Sequence, residues 1–194
     1  MTTVAITSTT ASDEQHVIDV IVLAFSADPA ARRMLPDPTQ YMRHFPKFVE
    51  AFGGKAFGHG TAHHIEGFRG AALWLPPDVH PDEEPLAVLI EEMVAEPVRR
   101  EVFAVIEQMA SYHPREPHWY LPLIGVDPIE QGKGLGSALI RHALIRCDRE
   151  KKLAYLESSN PKNIPLYERE GFERIGTIQA GTWPPLYPMV RSPR

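Results

Sequence analysis

One stretch of sequence decides the fold: Val126-Asp127-Pro128-Ile129-Glu130-Gln131-Gly132-Lys133-Gly134-Leu135-Gly136-Ser137. It follows an apolar run, Trp119 to Val126, and it leads into the clearest helical pattern of the chain, Lys133 to Glu150. Its glycines allow backbone N–H groups to turn outward without obstruction by Cβ atoms, and the positive end of the helix dipole favours a phosphate. The stretch therefore predicts an anion-binding turn between a strand and a helix.

The turn does not fit two common nucleotide-binding motifs. A Walker A loop is disfavoured because six residues separate Gly125 from Gly132, and because a glycine follows Lys133 where Ser or Thr is required. The Rossmann fingerprint would need a glycine in place of Ser137 or Leu139. The sequence therefore argues against an NTPase and against a dinucleotide-binding protein.

Hydrophobic periodicity predicts further elements on both sides of the turn. We predict strands at Thr3 to Ser8, His63 to Phe68, Ala71 to Leu75, Trp119 to Val126, Leu153 to Leu156, Phe172 to Ile178 and Leu186 to Val190. We predict helices after the Ser12 to Gln15 capping signature, at Pro38 to Phe52, in two segments of Leu86 to Tyr112 divided at Pro97, at Lys133 to Glu150 and at Ile164 to Glu170. Pro122 and Gly125 predict a local irregularity in their strand. Because strands and helices alternate around Val126 to Glu157, the pattern indicates an α/β protein with a mixed sheet and one βαβ unit.

Composition narrows the class of protein. The length of 194 residues is typical of one domain, so residues 1–194 are expected to form a single domain. The net charge of −5 provides no electrostatic footprint for nucleic acid or an anionic membrane, and no segment resembles a signal peptide or a membrane span. One cysteine, Cys147, favours a cytoplasmic location, and its place on a helical apolar stripe predicts an unreactive core thiol. The His and Cys spacings are not those of a metal site, so no metal is expected.

The turn resembles the coenzyme A loop of the GNAT superfamily of N-acetyltransferases, whose Gln/Arg-x-x-Gly-x-Gly/Ala pattern is met by Gln131, Gly134 and Gly136. A second motif similar to that superfamily follows in the expected order, over Leu156 to Asn163 and Leu166 to Phe172. The segment His113 to Tyr120 resembles the puromycin N-acetyltransferase branch. The resemblance extends over Trp74 to Phe172 and implies a GNAT-like acyl-CoA N-acyltransferase fold with a splayed central βαβ unit. The first 60 residues match only loosely, so the resemblance implies no particular acceptor.

The resemblance implies acetyl-CoA as the co-substrate and assigns residues to it. The pyrophosphate would lie on backbone groups of the loop: Gln131, Gly132, Lys133, Gly134, Leu135, Gly136 and Ser137. The pantetheine arm would pair as an added strand with Leu123, Ile124, Gly125 and Val126, with the Val126 N–H near the thioester oxygen. Asn160 and Asn163 would contact the coenzyme or cap a helix, and Lys133 would contact phosphate or be a solvated surface charge.

The resemblance also implies catalytic roles. Tyr167 matches the family tyrosine that protonates the leaving thiolate, although a tyrosine on an amphipathic helix is also typical of a core. The candidates for the base that deprotonates the incoming ammonium are Glu157, which we place first, His118 and Tyr120. We expect an acetyl-CoA-dependent N-acetyltransferase that acts on the primary amine of a small molecule, as a monomer or a homodimer. The alternatives are a non-catalytic acyl-CoA-binding sensor and a transferase that acts on a peptide N-terminus.

Overall fold

The computed structural model describes residues 4–194; Thr3, at the start of the first predicted strand, lies outside them. The strands are β1 (Ile6–Ser8), β2 (Ala62–Ile65), β3 (Gly70–Leu75), β4 (Trp119–Val126), β5 (Ala154–Ser158), β6 (Glu173–Arg174) and β7 (Tyr187–Arg191). The helices are α1 (Glu14–Ala24), α2 (Pro29–Met34), α3 (Pro38–Gly53), α4 (Lys55–Gly58), α5 (Glu83–Met93), α6 (Glu96–Tyr112), α7 (Leu135–Arg149) and α8 (Ile164–Arg169). None of these helices is both long and apolar enough to cross a membrane.

The described strands form one seven-stranded sheet in the order β1-β2-β3-β4-β5-β7-β6. The pair of β4 and β5 is parallel and is joined by α7, whereas the pairs on either side are antiparallel. A parallel pair requires a crossover connection of a dozen or more residues, and α7 provides it. The predicted α/β class, the mixed sheet and the central βαβ unit are therefore confirmed.

The centre of the sheet is irregular, as Pro122 predicts. Leu73 of β3 lies opposite Leu123 of β4, but two residues further along β3 the partner is Tyr120. One extra residue of β4 is therefore accommodated as a bulge at Pro122, and a bulge bends the strand and increases its twist. The pairing of β4 with β5 is recorded at Trp119 and Tyr120, before the bulge. Beyond that point the two parallel strands diverge.

The two faces of the sheet carry separate apolar cores. On one face α7 contributes Leu139 and Ile140, both fully buried, and on the other face α1 and α3 contribute Val17 and Phe45. Full burial of one leucine side chain stabilises the fold by about 1.5–3 kcal/mol. Cys147 lies in the α7 core, where burial raises the pKa of its thiol to about 12. The predicted core position of Cys147 is therefore confirmed, and its lack of reactivity stays a prediction.

Two local predictions are wrong. The strand predicted at Phe172 to Ile178 consists of the short β6 and one isolated bridge from Ile178 to Leu186. Between them Gly176 lies so close to the Tyr112 ring that any side chain there would overlap it, and the chain leaves the β ladder. The Ser12 to Gln15 capping box does not form either. Asp13 is the N-cap of α1, and its carboxylate accepts the N–H of Thr10 at 3.1 Å.

Candidate active site

A cavity of about 670 Å³ opens beside the diverging strands. It is lined by predicted coenzyme residues, namely Leu123, Ile124, Gly125, Val126, Gln131, Gly132, Gly134, Leu135, Gly136, Ser137, Asn160 and Asn163. Two of the candidate catalytic residues, Tyr167 and Glu157, line it as well. Among the described residues Lys133, His118 and Tyr120 are not part of this lining. The structure thus brings both predicted motifs to one cavity.

The edge of β4 presents backbone groups to the gap. Asp127 donates its N–H to the Arg69 carbonyl on the β3 side at 3.0 Å, and successive N–H groups of a strand point to opposite edges. The N–H of Val126 and the N–H and C=O of Ile124 therefore face away from β3, toward β5. The side chain of Gln131 donates to the Val126 carbonyl at 3.2 Å. The N–H of Val126 and the N–H and C=O of Ile124 are placed to pair with a ligand that runs along the edge as an added strand.

The glycine loop leaves open space in front of α7. Gly132 and Gly134 have φ angles of 77° and 83°, in the left-handed region that favours glycine. A Cβ built on either glycine would meet no atom within 4 Å. Gly134 is the N-cap of α7, and no side chain within residues 4–194 caps this helix. The first N–H groups of α7 are therefore available to an anion.

Lys133 lies on the outer side of this loop. Its Nζ is 3.0 Å from Oε1 of Glu130, and its side chain is 55% exposed. An exposed pair of this kind is worth about 1 kcal/mol or less. The coenzyme contact of Lys133 stays a prediction, because the structure places the side chain against Glu130 and outside the cavity wall.

Tyr167 lies in α8 with its side chain almost fully buried. Its ring packs edge-on against Phe172, with ring centroids 6.2 Å apart. Burial, and after it the negative charge of Asp28, raise the pKa of the phenol. The phenol therefore keeps its proton at neutral pH, and it lines the cavity in which the thiolate would form.

Glu157 lies on β5 with a side chain that is only 4% exposed. Its Oε1 is 3.4 Å from Nε2 of His113 and accepts no hydrogen bond from the described residues. Tyr120 and Tyr155 lie beside it; burial first, and then the charge of Glu157, raise the pKa of both phenols. A buried carboxylate that lacks its full set of donors has the capacity to accept a proton, as a general base must.

A pair of histidines extends from Glu157 to a second cavity. Nδ1 of His118 donates to the Glu116 carbonyl at 2.8 Å, so its Nε2 accepts the proton on Nδ1 of His113, 3.1 Å away. Nε2 of His113 then carries a lone pair and lies 3.4 Å from Oε1 of Glu157. Both histidines and Tyr120 line the second cavity, of about 160 Å³. Burial lowers the pKa of His118, which keeps that ring neutral at pH 7.

Sequence reasoning missed three residues of this arrangement. The sequence predictions include His113 only within the segment His113 to Tyr120 and Tyr155 only within a strand, and they assign no role to Asp28. Asp28 is buried at the N-terminus of α2, where it accepts the N–H groups of residues 30 and 31 at 3.0 Å and the Ser159 hydroxyl at 2.6 Å. An Asp-Pro pair is an N-cap signal, and that signal could have identified α2.

Comparison with known families agrees with this geometry. Residues 34–172 match the model of the Acetyltransferase (GNAT) family, a range that includes the glycine loop, β4, β5 and α8. The chain belongs to the GNAT acetyltransferase family. The predicted superfamily and the predicted enzyme class are therefore confirmed.

Individual relatives are similar in sequence to this GNAT acetyltransferase over different lengths of the chain. An uncharacterized N-acetyltransferase of Schizosaccharomyces pombe is 41% identical over 83 residues, which are 41% of this chain and 34% of that protein. Mycothiol acetyltransferase of Streptosporangium roseum is 42% identical over 66 residues, which are 32% of this chain and 19% of that protein. The matches thus span about a third or less of these curated relatives. A solved structure named histone acetyltransferase HPA2 and related acetyltransferase, from Corynebacterium glutamicum, has a TM-score of 0.71 and 25% identity, covering 98% of this chain and 97% of that one.

The site has the open space and the N–H donors that acetyl-CoA, the co-substrate of the family, requires. The open cradle over Gly132 and Gly134 and the β4 edge at Ile124 provide N–H donors without obstructing side chains. Lys162 and Arg169 add positive charge to the part of the wall near α8. Within residues 4–194 no group of three or more His, Cys, Asp or Glu side chains is placed to hold a metal ion.

Proposed function

We propose that the protein transfers the acetyl group of acetyl-CoA to the primary amine of a small molecule by direct attack. The observation that carries this proposal is the gap between β4 and β5, which opens onto the uncapped start of α7 and shares one cavity with Tyr167 and Glu157. Residues 1–194 would act as one acetyltransferase domain. A puromycin N-acetyltransferase relationship is part of the proposal and is supported by the segment His113 to Tyr120 alone.

The backbone would bind and polarise the donor. In this proposal the pyrophosphate lies over residues 131–137, with Asn160 and Asn163 nearby, and the pantetheine arm pairs with Leu123 to Val126. The Val126 N–H, which faces the gap, would donate to the oxyanion that develops on the thioester carbonyl. A preorganised donor of this kind contributes about 3 kcal/mol to transition-state stabilisation.

The proton transfers would use both walls of the cavity. Glu157 takes a proton from the incoming ammonium, and His113 receives it and connects to His118 at the second cavity. The amine nitrogen then attacks the thioester carbon, the C–N bond forms and the C–S bond breaks. Tyr167 gives its proton to the leaving thiolate and regains one from the attacking nitrogen, which loses its second proton as the amide forms. Tyr120 would act by positioning Glu157 and not as a separate base, because burial keeps its phenol protonated.

The purified protein should release free thiol from acetyl-CoA when a primary amine is present, and calorimetry should detect coenzyme A binding without the amine. Thiol release without acetylated amine would indicate hydrolysis and would argue against amine transfer. Coenzyme binding with no transfer to any amine would favour the acyl-CoA-binding sensor. Loss of both signals from a folded sample would overturn the proposal.

A further inference from the structure

One wall of the large cavity is apolar throughout. It is built from α2, α3, α5 and α6, which face the separated strands. Among its lining residues are Phe45, Phe48, Ile90, Val105, Ile106 and Met109. The aromatic residues of α3 divide between core and cavity, and Phe45 is fully buried. Phe48 and Phe52 are half-buried and reach the cavity, so this end of the stripe also forms binding surface.

The α3 rings form a continuous stack. Phe45 and Phe48 have ring centroids 5.4 Å apart at 22°, and Phe48 and Phe52 have centroids 5.2 Å apart at 25°. Phe52 in turn meets Tyr120 edge-on at 6.2 Å. Stacked rings of this kind offer a large apolar surface that suits another ring or an alkyl chain.

The charges on the cavity wall are unevenly distributed. Three carboxylates line it, Asp28, Glu130 and Glu157. Glu130 belongs to the glycine loop, where Lys133 pairs with it. Asp28 is buried and already accepts two N–H groups and the Ser159 hydroxyl. Among the described residues Glu157 is therefore the cavity carboxylate that keeps one oxygen, Oε1, without a hydrogen bond, and it is the proposed base.

We infer that the acceptor is a monoamine with a bulky apolar body, best an aromatic one, and not a polyamine or a polycationic antibiotic. This inference rests on the proposed function. The single ammonium group of such an acceptor contacts Glu157, and its apolar body lies against α3 and α6. A second ammonium in this wall would be buried without a partner, which is strongly unfavourable.

The test uses two amines of equal length, hexylamine and hexamethylenediamine, with acetyl-CoA and the wild-type protein. We expect kcat/KM for hexylamine to exceed that for the diamine by about 100-fold or more, because only the diamine carries a second charge into the apolar wall. Shortening hexylamine to butylamine should lower kcat/KM about 15-fold, since it removes two methylenes and each buried methylene contributes about a fourfold factor. Phenethylamine should exceed ethylamine by a similar or larger factor.

Two variants of α6 test the same wall. Ile106→Asp places a carboxylate in the cavity and should raise the ratio of diamine to hexylamine kcat/KM about tenfold. Phe103→Asp, on the same helix but exposed and outside the cavity lining, should leave the ratio unchanged. If Ile106→Asp does not fold, the wild-type ratios decide alone. Equal or higher kcat/KM for the diamine overturns the inference and leaves the acetyltransferase proposal intact, whereas no turnover of any amine overturns the proposed function itself.

Discussion

Tyr167 provides the sharpest single-residue test, because its phenol is buried and still lines the cavity. Tyr167→Phe keeps the ring that packs against Phe172 and removes the proton proposed for the thiolate. We expect kcat to fall about 100-fold or more, the usual contribution of a general acid, with a small change in coenzyme A affinity. Steady-state kinetics together with calorimetry measure the two effects separately.

A matched variant separates chemistry from general damage. Tyr187→Phe removes a hydroxyl from β7, where the ring contacts Arg174 at 4.5 Å and does not line the cavity. Its kcat should stay within about twofold of wild type, as surface changes rarely exceed 0.5 kcal/mol. If Tyr167→Phe also retains its kcat, the acid role assigned to Tyr167 is wrong.

His113 makes a prediction about pH. His113→Asn keeps a short polar group beside His118 and removes the ring nitrogen that contacts Glu157. We expect kcat/KM for an alkylamine to fall about 10- to 100-fold at pH 7, where the amine arrives protonated. The deficit should shrink as the pH approaches about 10, because the solvent then supplies neutral amine. A deficit that stays constant with pH would argue for a merely structural role, and His59→Gln, exposed and outside both cavities, serves as the control.

Two matched glycine variants test whether the glycine loop binds phosphate. Gly132→Ala introduces a methyl into the open space before α7 and strains a φ of 77°. Gly60→Ala introduces similar strain at a φ of 63°, also with no atom within 4 Å, but outside the cavity lining. Both variants should lose about 1 kcal/mol of stability, whereas only Gly132→Ala should weaken coenzyme A binding, by about tenfold or more. Equal affinities in calorimetry would refute the phosphate cradle.

The same loop shows what local sequence is able to predict. The turn, α7 and the bulge at Pro122 depend on residues that are neighbours in the chain, so periodicity and residue type were sufficient. The contact of His113 with Glu157 joins the end of α6 to β5, and no spacing rule connects such distant segments. The apolar wall likewise exists only after four helices pack together, and Phe48 in isolation is typical of a core. Tertiary packing, rather than propensity, decided these features.

His63 joins the sheet to α7, so its protonation affects the stability of the whole fold. It lies on β2, and its ring meets His142 of α7 edge-on with centroids 4.7 Å apart. Burial, followed by the positive charges of His142 and Arg146, lowers the pKa of His63 to about 4. The unfolded chain binds a proton there near pH 6.5, whereas the folded chain does so only near pH 4. The contribution of His63 to stability is therefore lost progressively as the pH falls from about 6.5 to about 4.

We accordingly expect wild type to lose about 2 kcal/mol more unfolding free energy than His63→Gln between pH 7.5 and pH 5. Glutamine keeps a polar side chain between β2 and α7 but takes up no proton in this range, so its stability curve should be flatter. Urea denaturation at several pH values measures the difference, and exposed His59→Gln should follow the wild-type curve. Parallel curves for wild type and His63→Gln would mean that His63 titrates normally, and acid would then destabilise the fold through other groups.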